Sequence, residues 1–532
     1  MEIRDAVYGD IELLPAEVKL LDTFEMQRLR KVKTLALVHL AYPTAVHTRF
    51  DHSIGVRHCV QHIIERSHIE LPKEEKELLF KAALLHDIGH PCFSHVTEDL
   101  ENIPKHTNFV ELMLQGKYKD IVVHNKILTR SEAHRTTFVA DVLNNAEASE
   151  ILKLIDNKYD ENFDKKYLSD LINGDIDADN LDYVRRDGYF LGLPYGNFDD
   201  RIFSSFRLVQ TATGKQFTFS EKKDSLSSIM TFLRARFELY RAAYRHHTVE
   251  IADAMLHYAL EAWTHHDNSD LLFILGDDEL LSRMASESEK AREMVLRLQS
   301  RQLYKRAYLI STKSSPSARN KAEGIKNHLD ERLDFRQKLI NEAKIRSEDI
   351  LLNYPRRRLV WKEYGEISVG TEKPYKFKDV AKSELDILKE LYDTIWNFSV
   401  YASEPSLSAK IFEVCTKIFG YKGEFQPKTT IAPIFYDTVS QVIADIIKEK
   451  KASLKILNQL NSERKISSDD IGDILGISRS TASHYLTYIE KKFKERQIDL
   501  IKSKRINYKK FWWIGDPAVF ERVKSEIKDY VL

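Results

Sequence analysis

LLHDIGHPCFSH, which runs from Leu84 to His95, is the most informative stretch of this chain. A His-Asp dipeptide, His86-Asp87, ends an apolar run, and His90 and His95 follow His86 at four and nine residues. Adjacent side chains point to different sides of a helix, so this pair needs ligands from elsewhere to complete a metal shell. Imidazole and carboxylate together suit a divalent transition ion or magnesium better than a structural zinc. The alternative is a helix N-cap aspartate beside surface histidines.

Two other stretches hold side chains of the same chemistry. RFDHSIGV contains His52, and INGDIDADNLDYVRRDGYFLGL contains Asp177, Asp179 and Asp182. We expect His52 and one of these carboxylates to complete the shell, because all the parts are present and occur in order. The sequence therefore predicts a divalent metal ion, with Mg, Mn, Fe, Co and Zn all left open.

Length and composition restrict the class of protein. A chain of 532 residues is too long for one hydrophobic core, so two or three domains are expected. With 81 basic and 81 acidic residues, no global basic field indicates a nucleic-acid partner. Cys59, Cys92 and Cys415 form no metal-type pair and indicate a reducing cytoplasm. The charged N-terminus does not resemble a secretory signal, and no apolar run approaches the ~20 residues of a membrane span.

Hydrophobic periodicity predicts a mostly α-helical fold. EEKELLFKAALLHDIG and SLSSIMTFLRARFELYRAAYRHHTVEIADAMLHYALEAW read with helical period. YLISTKSS near residue 310 and DILLNYPRRRLVWKEYGEISVG near residue 355 predict a small sheet in an α+β insertion, and SELDILKELYDTIWNFSVYAS predicts another amphipathic helix. We divide the chain into residues 1–300, 301–440 and 441–532, with a loop-rich linker around residues 421–436.

The last part of the chain has a different composition. From Lys451 to Leu532 there are 17 basic and 11 acidic residues, a net charge of +6. ISSDDIGDILGISRSTASHYLTYIEKKF is typical of a helix-turn-helix in which Gly476 supplies the turn, and DLIKSKRINYKKFWWIGDP then predicts a two-stranded wing. Such a winged helix-turn-helix could bind DNA or RNA through the start of its second helix. Dimerisation or docking on protein is the alternative for this module.

The order His…His-Asp…Asp and its surroundings resemble a known family. RFDHSIGV, HDIGHPCFSH, IDADNLDYVRRD and LYRAAYRHH are similar to motifs of the HD-domain phosphohydrolases, in the deoxynucleoside triphosphate triphosphohydrolase branch, over roughly residues 1–350. The resemblance implies a helical HD core that hydrolyses dNTPs to deoxynucleoside and triphosphate by attack of water on the α-phosphate. The family's metal ligands match His52, His86, Asp87 and Asp179, and Asp177 is the alternative for the last of them.

The resemblance also implies roles around the metal. The family's proton-transfer residues match His134, Glu98 and His90, with Glu98 as the acidic partner in the histidine cluster. Its substrate-binding positions, which grip the phosphates and enclose the deoxyribose, match Arg49, His95, Tyr183, Asp187, Arg236 and Tyr244. One departure is Asn180, where the animal relatives have a phosphate-binding lysine.

A second nucleotide site and an oligomer are implied as well. LLDTFEMQRLRKVKTL resembles the family segment that binds an activating nucleotide between subunits, with Asp22, Gln27 and Arg30 at the positions that read its guanine. The alternative is a helix face that packs on the HD core. We therefore expect a homo-oligomer with nucleotide-dependent activity. Thr34 replaces the base-reading glutamine of the relative, so the base preference does not carry over.

Two other functions stay open. The same metal site could serve a nucleotide phosphodiesterase or nuclease that acts on a polymer brought by the C-terminal module. The HD domain could instead bind a nucleotide in a DNA-binding regulator, although the intact metal quartet argues against a pure sensor. For a dNTPase, the purpose would be nucleotide-pool balance or phage defence by dNTP depletion.

Overall fold

The computed structural model describes residues 1–100, 103–159, 163–212, 214–265, 267–353, 364–372, 374–425, 466–495, 501–506 and 509–514. Helices dominate these residues, and the strands among them form small sheets. The mostly helical fold expected from the periodicity is therefore confirmed. The chain divides into two compact units, Met1–Phe425 and Gln426–Leu532.

The first unit is built mainly of α-helices. In chain order they are α1 (Pro15–Leu21), α2 (Phe24–Leu29), α3 (Arg49–Arg66), α4 (Lys73–Leu85), α5 (His95–Glu98), α6 (His106–Leu114), α7 (Tyr118–His124), α8 (Arg130–Arg135), α9 (Val139–Val142), α10 (Asn145–Asp156), α11 (Asp170–Asn173), α12 (Ala178–Leu191), α13 (Lys223–Leu239), α14 (His247–Trp263), α15 (Asp277–Glu287), α16 (Glu289–Gln299), α17 (Pro316–Asn327), α18 (Leu329–Ala343), α19 (Lys378–Thr394) and α20 (Pro405–Phe419). Short 3-10 turns lie at Val38–Leu40, Asp164–Ser169, Pro194–Gly196, Asp200–Ser204, Ser269–Phe273, Ser347–Asp349 and Tyr364–Glu366. A π-helical turn, Tyr240–Tyr244, follows α13.

In the described part of the first unit, three sheets accompany these helices. β1 (Glu2–Asp5) and β2 (Gly9–Glu12) form an antiparallel hairpin. The second sheet has the order β3-β4-β7-β8, from β3 (Phe206–Thr211), β4 (Gly214–Phe219), β7 (Ser368–Val369) and β8 (Tyr375–Lys376). The third has the order β5-β9-β6, from β5 (Lys305–Ser311), β9 (Asn397–Ala402) and β6 (Ile350–Leu352). The strand predicted near residue 310 is β5, and β6 forms the start of the stretch predicted near residue 355. Residues 354–363 of that stretch lie outside the described residues.

The segment predicted as one long amphipathic helix forms two elements instead. Helix α19 ends at Thr394, and β9 follows as the central strand of the third sheet. The single-helix prediction was wrong because Phe398, Val400 and Ala402 repeat with a period of two and are buried in one core cluster. Both neighbouring strands lie far away in sequence, so tertiary pairing decides this element.

The core of the first unit is centred on α3, which packs against α4 and α12. Capping defines where α3 begins: the Thr48 hydroxyl accepts a hydrogen bond from the Asp51 backbone, and the Asp51 carboxylate accepts one from the Thr48 backbone. Ile54, Val60 and Leu181 are fully or almost fully buried between these helices. This packing holds the ends of three helices close to one point. None of the helices in the described ranges is long and apolar enough to cross a membrane.

Among the residues of the second unit that the structure describes, there are two helices and three strands. Its described elements are β10 (Ile466–Ser467), α21 (Ser468–Leu475), α22 (Arg479–Glu495), β11 (Ile501–Ile506) and β12 (Lys509–Ile514), with the antiparallel sheet order β10-β12-β11. Ser467 caps α21, and Gly476 ends it in the left-handed conformation with φ +66°. The predicted boundary at residue 440 and residues 426–436 of the predicted linker lie outside the described residues.

Candidate metal centre and active site

Three helix ends bring the predicted metal ligands together. His52 lies in the first turn of α3, and His86 and Asp87 directly follow α4. One ligand atom from each of these residues lies within 4.8 Å of the others, and all three residues are buried. Asp179, in the first turn of α12, lies 3.0 Å from His52 Nε2 through its Oδ1 atom. Asp179 therefore adjoins the group of three through its contact with His52.

The orientation of His86 fits a metal ligand. Its Nδ1 atom is 2.8 Å from the Ala83 carbonyl oxygen, which fixes the ring. Its Nε2 atom is buried and has no hydrogen-bond partner among the described residues. A buried polar atom without a partner is costly, and a bound cation would satisfy it. Two imidazoles and two carboxylates form a donor set that fits a divalent ion.

Asp182 orients His52 from behind. Its Oδ2 atom lies 2.7 Å from His52 Nδ1, and Arg186 donates to both carboxylate oxygens at 2.9 and 3.0 Å. Gly55 leaves room for this contact, because a Cβ atom there would lie 2.0 Å from Asp182 Oδ1. Burial lowers the pKa of His52, but hydrogen bonds to Asp179 and Asp182 raise it to about 10. The carboxylates thus make this point favourable for positive charge.

The two aspartates of the IDAD motif have different tasks. Asp177 is the N-cap of α12, where its Oδ1 atom accepts hydrogen bonds from the Asn180 backbone at 2.7 Å and the Asn180 amide at 2.6 Å. Asp179 contacts His52 instead. The contacts therefore support Asp179 as the fourth ligand, and Asp177 positions the helix that carries it.

Arg49 places a fixed cation beside the metal ligands. It donates to Asp87 Oδ2 through Nη1 and to the Ser94 hydroxyl at 2.7 Å through Nε. Ser94 has a φ of 44°, a strained conformation for a residue with a side chain. Burial alone would raise the pKa of Asp87, yet the neighbouring His86 and Arg49 and a hydrogen bond from His90 hold that pKa well below its usual range. Asp87 is therefore ionised and ready to bind a cation.

A cluster of histidines surrounds Glu98. The carboxylate lies 3.2 Å from His95 Nδ1 and 2.6 Å from His106 Nδ1. His90 stacks on His106 with 4.2 Å between the ring centroids, and its Nε2 atom lies 3.1 Å from Asp87 Oδ1. Burial and the charge of Arg49 lower the pKa of His90 to about 3, so this ring is neutral. His90, Glu98 and His106 could also hold a cation by themselves.

His106 is the residue that the sequence analysis missed. His134, predicted to act with Glu98, lies exposed in the last turn of α8. Glu98 contacts His95 and His106, and His106 lies at the start of α6. A catalytic role for His134 stays a prediction. One sequence feature could have indicated His106: it is the first histidine after Glu98 in the chain.

The predicted substrate residues form two facing rows. Asp179, Tyr183 and Asp187 recur every four residues on α12, so they share one face of the helix. Arg236 and Tyr244 lie on α13 and the π-helical turn that follows it. Contacts between the rows join the Tyr183 hydroxyl to Arg236 and the Tyr244 hydroxyl to Asp187. π-Helical turns occur frequently at functional sites.

His47 is a further residue that the sequence analysis missed. Its Nε2 atom lies 2.7 Å from Asp187 Oδ1, and both side chains are buried. His47 and Tyr244 together fix the Asp187 carboxylate. His47 lies five residues before the first motif ligand, in a stretch without any periodic signal.

The residues predicted to bind an activating nucleotide lie along α2: Asp22 precedes the helix, Gln27 lies within it and Arg30 follows its last residue. Asp22 and Arg30 are exposed, and Arg30 Nε donates to Gln27 Oε1 at 3.0 Å. The Arg30 guanidinium lies 3.6 Å above the centre of the Phe50 ring. Between them in sequence, Arg28 is buried and donates to the His90 carbonyl oxygen at 2.7 Å. This helix therefore contacts the histidine-rich turn of the candidate active site.

Comparisons with known proteins agree with this geometry. A family model described as HD domain matches residues 49–187, and one described as HD associated region matches residues 206–428. An uncharacterised protein of Methanocaldococcus jannaschii is 30% identical over 411 residues, which cover 76% of this chain and 80% of that protein.

Other similar proteins include a named enzyme and a solved structure. The deoxynucleoside triphosphate triphosphohydrolase SAMHD1 of Homo sapiens is 26% identical over 392 residues, which cover 66% of this chain and 61% of that protein. A crystal structure of a hypothetical protein from Aquifex aeolicus has a TM-score of 0.57 and 26% identity, and the match covers 78% of this chain and 99% of that one. This chain thus spans less than two thirds of the human relative's length. The resemblance inferred from the motifs is confirmed, and the chain belongs to the family of HD-domain proteins that carry an HD-associated region.

Proposed function

We propose that this protein hydrolyses dNTPs to deoxynucleoside and triphosphate with the help of a divalent metal ion. The main observation behind the proposal is that the candidate metal ligands and the candidate sugar contacts belong to one continuous site. The candidate metal ligand Asp179 and the candidate sugar contacts Tyr183 and Asp187 share one face of α12. The SAMHD1 relatives that carry the name of this activity support the same choice.

The residues of the site can divide the reaction between them. When bound at His52, His86, Asp87 and Asp179, a divalent ion supplies Lewis-acid polarisation and activation of water. Arg49 then neutralises charge that develops on the α-phosphate. A water oxygen bonds to the α-phosphorus, the bond to the 5′-oxygen breaks, and that oxygen takes up a proton. The histidines that Glu98 orients are placed to deliver this proton.

Asp187 and its two partners are suited to the sugar. His47 and the Tyr244 hydroxyl hold the Asp187 carboxylate, which can accept a hydrogen bond from a ribose hydroxyl. We propose that Tyr183 packs against C2′ and thereby disfavours ribonucleotides. Deoxy substrates would then have the higher kcat/KM.

Product analysis tests the proposed reaction. The full chain is incubated with each dNTP and rNTP in Mg²⁺, Mn²⁺, Co²⁺ or Fe²⁺, and chromatography separates triphosphate, pyrophosphate and orthophosphate. We expect triphosphate and deoxynucleoside in equal amounts from dNTPs, and little product from rNTPs. Release of nucleoside monophosphate, or cleavage of oligonucleotides in place of free dNTPs, would contradict the proposal and favour the nuclease alternative.

We also propose that the second unit is a winged helix-turn-helix that binds DNA weakly and with little sequence specificity. The order strand, helix, helix and two antiparallel strands supports this, as does the capped turn between α21 and α22. Arg479 and His484 lie on α22, the candidate recognition helix. The basic residues of the wing are Lys502, Lys504, Arg505, Lys509 and Lys510, and the aromatic residues among them are Tyr508, Phe511, Trp512 and Trp513. Tyr508 lies outside the described residues.

Charge removal in the wing tests the DNA proposal. Replacing Lys504, Arg505, Lys509 and Lys510 by alanine should abolish retardation of duplex DNA at low salt. The wild-type affinity should fall with salt at a log–log slope of about −0.9 per phosphate contact. A matched control removes four exposed lysines elsewhere: Lys382, Lys389, Lys410 and Lys417. Equal losses in both variants, or no DNA binding by the wild type, would favour a docking module and remove support from the regulator hypothesis.

We further propose that the enzyme is a homo-oligomer activated by a nucleotide bound near α2. The exposed Asp22 and Arg30, and the contact of Arg28 with the His90 carbonyl, support a route from this helix to the active site. Sedimentation with and without dNTPs should show nucleotide-dependent assembly, and one dNTP should activate hydrolysis of another. A monomer with hyperbolic kinetics and no cross-activation would contradict this.

A further inference from the structure

Four tyrosines surround the guanidinium of Arg236. Its Nε atom donates to the Tyr183 hydroxyl, and Nη1 donates to the Tyr364 hydroxyl and, at 3.4 Å, to the Tyr392 hydroxyl. Nη2 donates to the Tyr240 hydroxyl at 3.4 Å. The arginine is only 6% exposed, so these contacts fix the direction of a buried cation.

Two of these tyrosines come from distant parts of the chain. Tyr364 and Tyr392 lie 128 and 156 residues after Arg236 in sequence. Both are buried, Tyr364 completely, in a 3-10 turn and in α19 respectively. The Tyr392 ring also packs edge-on against Phe237, with 5.0 Å between the ring centroids. This part of the HD-associated region therefore forms one wall around the arginine.

The chemistry of the wall formed by Tyr364 and Tyr392 is compatible with an arginine that interacts with an anion. Burial raises the pKa of Tyr364, and it raises the pKa of Tyr392 to about 12, so both phenols keep their protons. Neutral hydroxyls accept hydrogen bonds from the guanidinium without cancelling its charge. Because the four tyrosine hydroxyls accept from four of the five N–H donors of Arg236, the arginine acts on a nearby anion through its fixed charge and not through a free two-pronged fork.

The position of Arg236 along α12 indicates which phosphates of a bound nucleotide it would interact with. Arg236 contacts Tyr183, which lies four residues after Asp179, about 6 Å along the helix axis. With the α-phosphate at the metal ligands, the arginine would face the β- and γ-phosphates. We propose that Tyr364 and Tyr392 are positioning residues that aim Arg236 at the terminal phosphates and so set the preference for a triphosphate. This inference rests on the proposed dNTP hydrolysis.

Removing the two hydroxyls tests the inference. The variants are Tyr364→Phe, Tyr392→Phe and the double variant. The control is Tyr308→Phe, which removes another buried hydroxyl of this region, one that donates to the Tyr421 carbonyl oxygen. The measurements are the affinity for inorganic tripolyphosphate and for pyrophosphate by calorimetry, and KM and kcat for a dNTP. Thermal melting shows whether each variant is folded.

We expect the double variant to bind tripolyphosphate about ten-fold more weakly, because hydrogen bonds that orient a charged group are lost. KM should rise in parallel, pyrophosphate affinity should change less, and kcat should stay within about three-fold of wild type. Tyr308→Phe should change none of these. Unchanged tripolyphosphate affinity in a folded double variant, or an equal loss of affinity in the control, would overturn the inference. If the double variant does not fold, each single variant allows the same comparison.

The inference and the proposed function can fail separately. If the wild type binds tripolyphosphate in a tyrosine-dependent way but releases none from any dNTP, the proposed reaction falls and the positioning role stands. If the wild type hydrolyses dNTPs and the variants behave like it, only the positioning role falls. A wild type without affinity for tripolyphosphate overturns the positioning role.

Discussion

Replacing His86 and Asp87 together by alanine is expected to abolish bound metal and turnover while the helical fold survives. Both residues follow the last turn of α4, and they supply two of the four donor groups at the candidate centre. With half of the donors gone, His52 and Asp179 cannot hold a divalent ion tightly. Elemental analysis measures the bound metal, circular dichroism measures the helical fold, and a dNTP assay measures turnover. Full activity in the double variant would remove the metal assignment.

The two aspartates of the IDAD motif give a matched pair of controls. Asp179→Ala should lose metal and activity, because Asp179 contacts His52. Asp177→Ala should keep the metal and lose about 1 kcal/mol of stability, the usual effect of removing an N-cap side chain. The reverse ranking would move the fourth ligand by two residues.

Replacing His106 by alanine is expected to lower kcat by ~10²–10⁴-fold, the usual cost of removing a proton-transfer group, with metal content unchanged. The reason is the contact of 2.6 Å between His106 Nδ1 and Glu98, and the stacking of His106 on His90 beside Asp87. Rapid-quench measurement of the chemical step separates this effect from product release.

His134→Ala is the matched comparison for this prediction. If His134, which is exposed on α8, transfers the proton as the motif resemblance implies, its replacement should lower kcat by a similar ~10²–10⁴-fold, and a kcat close to the wild-type value would contradict that role. A large loss of kcat in His134→Ala, with His106→Ala near wild type, would favour His134 as the proton-transfer residue and contradict that role for His106. A change confined to KM in either variant would mark that histidine as a binding residue.

The sequence by itself indicated the chemistry of the candidate metal centre. The resemblance carried by four motifs proposed His52, His86, Asp87 and Asp179 as ligands, and the structure brings ligand atoms of the first three within 4.8 Å of one another and Asp179 within 3.0 Å of His52. Residue type is sufficient here because few side chains bind divalent ions, and they occur in short, recognisable stretches. Helical periodicity likewise predicted α4, α13 and α14, because a buried helix face repeats locally in the chain.

Tertiary structure alone decided which residues surround that centre. The contact of His47 with Asp187 spans 140 residues and that of Arg236 with Tyr392 spans 156. Such contacts depend on how α12, α13 and α19 pack, and no local pattern records that packing. The same is true of β9, whose neighbours in the sheet come from residues 305–311 and 350–352. Local sequence encodes the backbone's preferences and the ligand chemistry, whereas the partners of a buried polar group are chosen by the elements that pack around it.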